Sequence, residues 1–188
     1  MSDQQPPVEE PRPGTVRRAS LVLVNTGDGK GKSTAAFGVM LRSVARGWPV
    51  AVVQFVKSGK WRVGEEAMAR RLGVDWWAVG EGFTWDSEDL SRDEAVAAAG
   101  WQHAATLLSS GVHRLVILDE ITYPMSWGWI DTADVVAAVQ ARSPEVNVVA
   151  TGRDAPPELL AIADTATEMR PIRHAFDAGV RAMRGIDY

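Results

Sequence analysis

The chain of 188 residues is 46% hydrophobic, carries a net charge of -4 and contains no cysteine. That length supports one packed core, and the missing cysteines exclude disulfides, thiolate metal sites and cysteine nucleophiles. The acidic balance argues against general nucleic-acid binding; no stretch is long or apolar enough for a membrane span or a secretory signal, so a cytoplasmic protein is expected.

Residues 1–19 hold four prolines and mixed charge, and read as a flexible tail ahead of a single domain over 20–188. Apolar strands then alternate with helical stretches, without internal repeats, which predicts a mostly parallel α/β sheet covered on both faces. Strands are expected near 20–25, 50–55, 74–79, 114–119, 146–150 and 166–170. Helices are expected over Lys32–Ala45, closed by Gly47, and over 91–109 with Ser91 and Glu94 as a capping box. Two more are expected: one from the N-cap Asp131 to Ala141, and one opened by Pro156-Pro157 and ending near Ala163.

Between the first strand and first helix lies Thr26-Gly27-Asp28-Gly29-Lys30-Gly31-Lys32-Ser33-Thr34. Glycines at this spacing let the backbone form a nest of N–H groups, aimed with the positive helix end at a phosphate. Lys32 adds a cation, and the Ser33 hydroxyl suits Mg²⁺. Thr26 stands where the strict phosphate-loop pattern has its first glycine. The fold class predicted is therefore P-loop NTPase-like (RecA-like). The fourth strand ends in Asp119-Glu120, and carboxyl ends of parallel strands line the ligand crevice. These acids either hold Mg²⁺ opposite Ser33 or simply end a strand at solvent. Arg153, after the next strand, can clamp phosphate oxygens or lie exposed.

Lys57, Lys60 and Arg62, with Trp61 among them, either meet an anionic substrate or form a mobile charged loop. Gly80-Glu81-Gly82-Phe83-Thr84-Trp85 puts two aromatics in a pliable loop that either presses on a flat ligand or folds onto the core. His103, His113 and His174 sit where structural roles are the simpler reading. A phosphate loop ordinarily means phosphoryl transfer, but only Glu120 offers itself to orient a nucleophile. An ATPase or kinase and a non-catalytic nucleotide-binding regulator are thus open alternatives on the residues alone.

The loop and helix Thr26 to Gly38 resemble those of the phosphate-loop ATP:corrinoid adenosyltransferases. So do Val53-Gln54-Phe55-Val56-Lys57, Gly82-Phe83-Thr84-Trp85, Trp101-Gln102-His103 and Leu118-Asp119-Glu120-Ile121-Thr122-Tyr123. Thr151-Gly152-Arg153, the run Arg170 to Val180 and Gly185-Ile186-Asp187-Tyr188 complete a likeness over about residues 20 to 188. That family also carries threonine at the first loop position. The resemblance implies transfer of the 5′-deoxyadenosyl group of ATP to the Co(I) of cobalamin or its corrinoid precursors, such as cob(I)yrinic acid a,c-diamide, releasing triphosphate. A Co(I) nucleophile needs no base, which accounts for the missing one.

The same resemblance implies that Thr26, Gly27, Asp28, Gly29, Lys30, Gly31, Lys32, Ser33, Thr34 and Arg153 bind ATP. Ser33 and Glu120 would hold Mg²⁺ or Mn²⁺. Lys32, Glu120, Phe83 and Trp85 would act in the reaction, the two aromatics by displacing the lower axial ligand of cob(II)alamin. A homodimer and a flavoprotein reductant are implied partners. Asp28 stands where the family often has asparagine, adding negative charge near the phosphates. Residues 1–19 are shorter and richer in proline than the helical arm of better-known members, so no helical lid is expected.

Overall fold

The computed structural model describes residues 14–58, 64–80 and 90–187. Most of the expected tail, Lys60, Trp61 and Arg62, and the loop bearing Phe83 and Trp85 lie outside the described residues, as does the side chain of Lys57.

Six strands form one wholly parallel sheet: β1 (Val22–Thr26), β2 (Val50–Ser58), β3 (Asp75–Gly80), β4 (Leu115–Asp119), β5 (Asn147–Thr151) and β6 (Thr165–Glu168). Their order across the sheet is β3-β2-β4-β5-β1-β6. Valine-rich runs build the central strands because both faces are covered, and successive side chains enter opposite cores. Val116 and Leu118 of β4 join Ala51, Val53 and Phe55 of β2 in one core, with Trp101, Leu108 and Val135 from the helices. Leu115 and Ile117 join Val50 and Val52 on the other face, with Phe37, Met40 and Trp76.

The helices are α1 (Lys32–Val44), α2 (Gly64–Arg71), α3 (Leu90–Ser110), α4 (Thr122–Ser126), α5 (Thr132–Gln140) and α6 (Pro157–Ala161), followed by a 3-10 turn over Ala175–Ala178. Asp131 caps α5 as expected, accepting the Ala133 N–H at 2.7 Å. Gly47 ends α1 with φ +71°, its N–H on the Val44 carbonyl. The Ser91–Glu94 capping box does not stand: α3 begins at Leu90, which places Ser91 inside the first turn and not at the cap. Strand β2 runs on to Ser58, so Lys57 belongs to the strand and does not follow it.

Two helices were not anticipated. Helix α2 buries only Ala69 and is held by a Glu66–Arg70 pair at 2.9 Å and by Arg70 donating to the Trp76 carbonyl at 2.8 Å. Helix α4 carries Pro124 in its first turn, where a missing N–H costs nothing.

Candidate functional site

Parallel strands deliver their carboxyl ends to one edge of the sheet, and the loop after β1, Glu120 after β4 and Arg153 after β5 all emerge there. Helix α1 starts at Gly31, which has φ +108° and gives no side-chain cap; no acid sits in the first turn. Among the described residues no side chain caps its first N–H groups, unlike those of α5, and the positive end of the helix faces the loop. Ser33 lies half-buried in that first turn and Thr34 is exposed.

Lys32 closes the loop on itself, its ammonium donating to the carbonyls of Gly27 and Gly29 at 2.7 Å each. Asn25 ties the helix start to β1 by donating to the Lys32 carbonyl at 3.2 Å. Burial holds the Lys32 pKa below its usual value, the Arg153 charge lowers it further, and Asp28 and Glu120 oppose the shift. Four charged groups therefore share one field. Burial likewise raises the Tyr123 hydroxyl, with the same Arg153, Glu120 and Asp28 acting on it.

The negative charge of Asp28 is turned outward. Its carboxylate stands 3.7 Å from Arg153 Nε, both side chains being largely exposed. Lys30 pairs with Asp187 near the C-terminus. A hollow of about 380 Å³ beside the loop carries Asp28, Asp154 and Glu168 on its wall. Those carboxylates disfavour a polyphosphate in the hollow, whereas Lys32 and Arg153 carry the positive charge beside it.

The two acids after β4 do different things. Asp119 is fully buried; its oxygens accept from Gln54 Nε2 at 2.7 Å and from the Thr151 hydroxyl at 2.8 Å. Glu120, half-buried, takes φ +62°, and its N–H donates to Thr151 Oγ1 at 2.9 Å. With both Asp119 oxygens engaged, Glu120 is the carboxylate of the pair whose charge acts on Lys32 and Tyr123. Gln54, Thr122 and Thr151 stood inside the runs that resemble the family but were given no role of their own. The available signal was polarity out of place: a glutamine inside Val53-Gln54-Phe55 and threonines at the ends of apolar strands. Tyr123, Trp127 and Trp129 also gather here, with ring centroids 5.7 and 4.7 Å apart in succession. His103 packs against Trp77 at 4.4 Å and His113 contacts Asp75 at 2.8 Å, far from this edge in the fold's α3–β3 layer.

The chain matches the family model described as ATP:corrinoid adenosyltransferase BtuR/CobO/CobP over residues 18–188. It is 42% identical over 168 residues to the corrinoid adenosyltransferase CobA of Salmonella typhimurium, spanning 89% of this chain and 85% of that protein. A corrinoid adenosyltransferase of Pseudomonas aeruginosa is 44% identical over 170 residues, covering 89% and 83% of the two chains. One from Sinorhizobium sp is 42% identical over 172 residues, covering 89% and 80%. The phosphate-loop fold, the carboxylate and arginine at adjoining strand ends and this similarity agree: the chain belongs to the ATP:corrinoid adenosyltransferases, transferases that use ATP and a corrinoid.

Proposed function

We propose that the loop, Lys32 and Arg153 grip ATP by its triphosphate so that the C5′ carbon meets a Co(I) corrinoid, taken here as cob(I)yrinic acid a,c-diamide or cobalamin. Cobalt supplies the electron pair of the new Co–C bond; the C5′–O bond breaks and triphosphate leaves with its own pair. No proton moves, so no base is required. The protein aligns the reacting atoms and stabilises charge growing on the triphosphate. What carries the reading is the shared field of Lys32, Arg153 and Glu120 at the end of an uncapped helix, in a chain of this family.

Lys32 must leave the Gly27 and Gly29 carbonyls to serve the triphosphate. Thr26, Gly27, Asp28, Gly29, Lys30, Gly31, Ser33 and Thr34 complete the cradle. A metal fits through hard oxygen donors, the Ser33 hydroxyl and the Glu120 carboxylate. Mg²⁺ or Mn²⁺ held there would complete its shell with phosphate oxygens and water. Such an ion would neutralise charge on the departing triphosphate.

Phe83 and Trp85 are assigned to displacing the lower axial ligand of cob(II)alamin, which eases its reduction. The domain of residues 20–188 works as a cytoplasmic homodimer served by a flavoprotein reductant. Chromatography after incubating ATP with chemically reduced corrinoid tests the reaction: triphosphate and adenosylated corrinoid are expected. ADP or a phosphorylated product would return the chain to phosphoryl transfer, and unchanged ATP would make it a binding protein.

A further inference from the structure

We propose that Thr151 and Thr122 are positioning residues that set the two charged groups of the site reciprocally across the β4–β5 seam. Thr151, ending β5, fixes the backbone of Glu120 after β4. Thr122, after β4, fixes the backbone of Arg153 after β5. The proposal rests on the reading that Glu120 serves the metal and Arg153 the triphosphate.

Regular pairing between the two strands runs from Leu115↔Asn147 to Leu118↔Ala150. Beyond it, side-chain bonds take over. Both threonines are fully buried. The Thr151 hydroxyl has one hydrogen, and its direction is forced: the Asp119 carboxylate only accepts and the Glu120 N–H only donates. The hydroxyl therefore donates to Asp119 and accepts from Glu120. Glu120 sits at φ +62°, which a residue with a Cβ disfavours, so that backbone conformation needs an outside hold. The buried Asp119, itself braced by Gln54, anchors that hold.

The second link mirrors the first. Thr122 Oγ1 donates to the Arg153 carbonyl. Between them Gly152 takes φ +142°, and a Cβ there would collide with the Thr122 hydroxyl. Only glycine lets β5 exit so close to Thr122 that the bond forms. Each charged group thus has its backbone pinned by a hydroxyl from the opposite strand end, and their spacing is built into the seam.

The test uses full-length Thr151→Val, Thr151→Ser, Thr122→Val and Thr122→Ser, with melting curves to establish folding. Two affinities are read: Mn²⁺ for the ATP complex by electron paramagnetic resonance, and ATP in excess chelator by equilibrium dialysis. Thr151→Val is expected to weaken Mn²⁺ binding about tenfold while metal-free ATP binding stays within about twofold. Thr122→Val is expected to weaken metal-free ATP binding about fivefold and leave Mn²⁺ affinity within about twofold. Both serine variants should match the parent. Where a valine variant does not fold, alanine at that position removes the same bond without bulk and is read in its place.

A valine variant with its own readout unchanged overturns the proposal, as do equal losses in both readouts or failure of serine to rescue. Glu120→Gln and Arg153→Gln serve as controls. If they leave Mn²⁺ and ATP binding respectively untouched, the assignment of those two residues fails; if they respond and the threonine variants do not, positioning alone fails.

Discussion

Gly29→Ala tests how tightly the phosphate loop is walled in by the end of the chain. Gly29 is buried and donates its N–H to the Met169 carbonyl at 2.7 Å. A Cβ there would lie 2.8 Å from Met169 O and 2.9 Å from the carbonyl carbons of Met169 and Arg170. All three are backbone atoms, so no side chain can swing aside. Ordinary contact needs about 0.6 Å more. Forcing that shift costs about 1–3 kcal/mol as overpacking, and weakening the hydrogen bond adds about 1 kcal/mol. The sum is about 2–4 kcal/mol, or a melting point lower by roughly 4–16 °C at 2–4 °C per kcal/mol for this size. Gly38→Ala is the matched control, because Gly38 lies within α1 and a Cβ there meets nothing within 4 Å. Relief of the helix penalty should stabilise it by about 0.5–1 kcal/mol. Calorimetry reads both; a Gly29→Ala protein melting within about 2 °C of the parent, or a Gly38→Ala protein equally damaged, refutes the reasoning.

Asp28→Asn removes a carboxylate 3.7 Å from Arg153, and ATP affinity should rise about two- to fivefold at low salt, less at high salt, in a fluorescence titration. Lys32 has its pKa lowered, chiefly by burial. Folding therefore gains stability as pH climbs from the depressed value toward 10.5, since the unfolded chain then binds the extra proton. ATP needs that proton, so its affinity should fall over the same alkaline window, whereas Lys32→Arg should bind with a flat profile. Calorimetric titrations across that range decide it, and identical profiles count against the role. Gln54→Leu deprives fully buried Asp119 of a 2.7 Å donor; a loss of about 2–4 kcal/mol in urea unfolding is expected.

The loop was legible because its signal is local: glycines, Lys32 and Ser33 lie within nine residues and between a strand and a helix. The central strands were legible for a related reason, since strands buried on both faces read as unbroken apolar runs, whereas the edge strand β6, Thr165–Glu168, is exposed throughout and was placed by the alternation of elements. Helix α2 was not, because eight residues, four of them charged, that bury only Ala69 show no apolar face. The capping box failed since Ser91 and Glu94 satisfy the spacing one residue too late, Ser91 already lying in the first turn of α3, which begins at Leu90. The sequence reading had already preferred Glu120 to Asp119, but the reason Asp119 is occupied lies in Gln54 and Thr151, which approach from β2 and β5. Strand order carries that information, and no residue spacing records it.

The same dependence on strand order explains why the end of the chain bears on the loop at its start. Strand β6 adds to the sheet beside β1, with Thr26↔Glu168 the last pair of the register. Continuing one residue, Met169 donates its N–H to the Thr26 carbonyl at 2.8 Å and accepts from Gly29. Its atoms fill the space where Gly27, Gly29 and Gly31 lack a Cβ. The glycines are thus demanded from behind by the protein itself, before any ligand in front is considered. Farther along, Asp187 pairs with Lys30 across 157 residues, and that bond draws its carboxyl below the usual range. A loop so braced does not wait for a ligand to give it shape. The Gly29 N–H is already committed to Met169, so on the reading proposed above the triphosphate within this cradle would be met chiefly by the helix start and by Lys32 once it lets go of the loop carbonyls. Rigidity at the rear and one releasable cation at the front place the reorganisation on a single side chain, which is the economical arrangement for stabilising a leaving group.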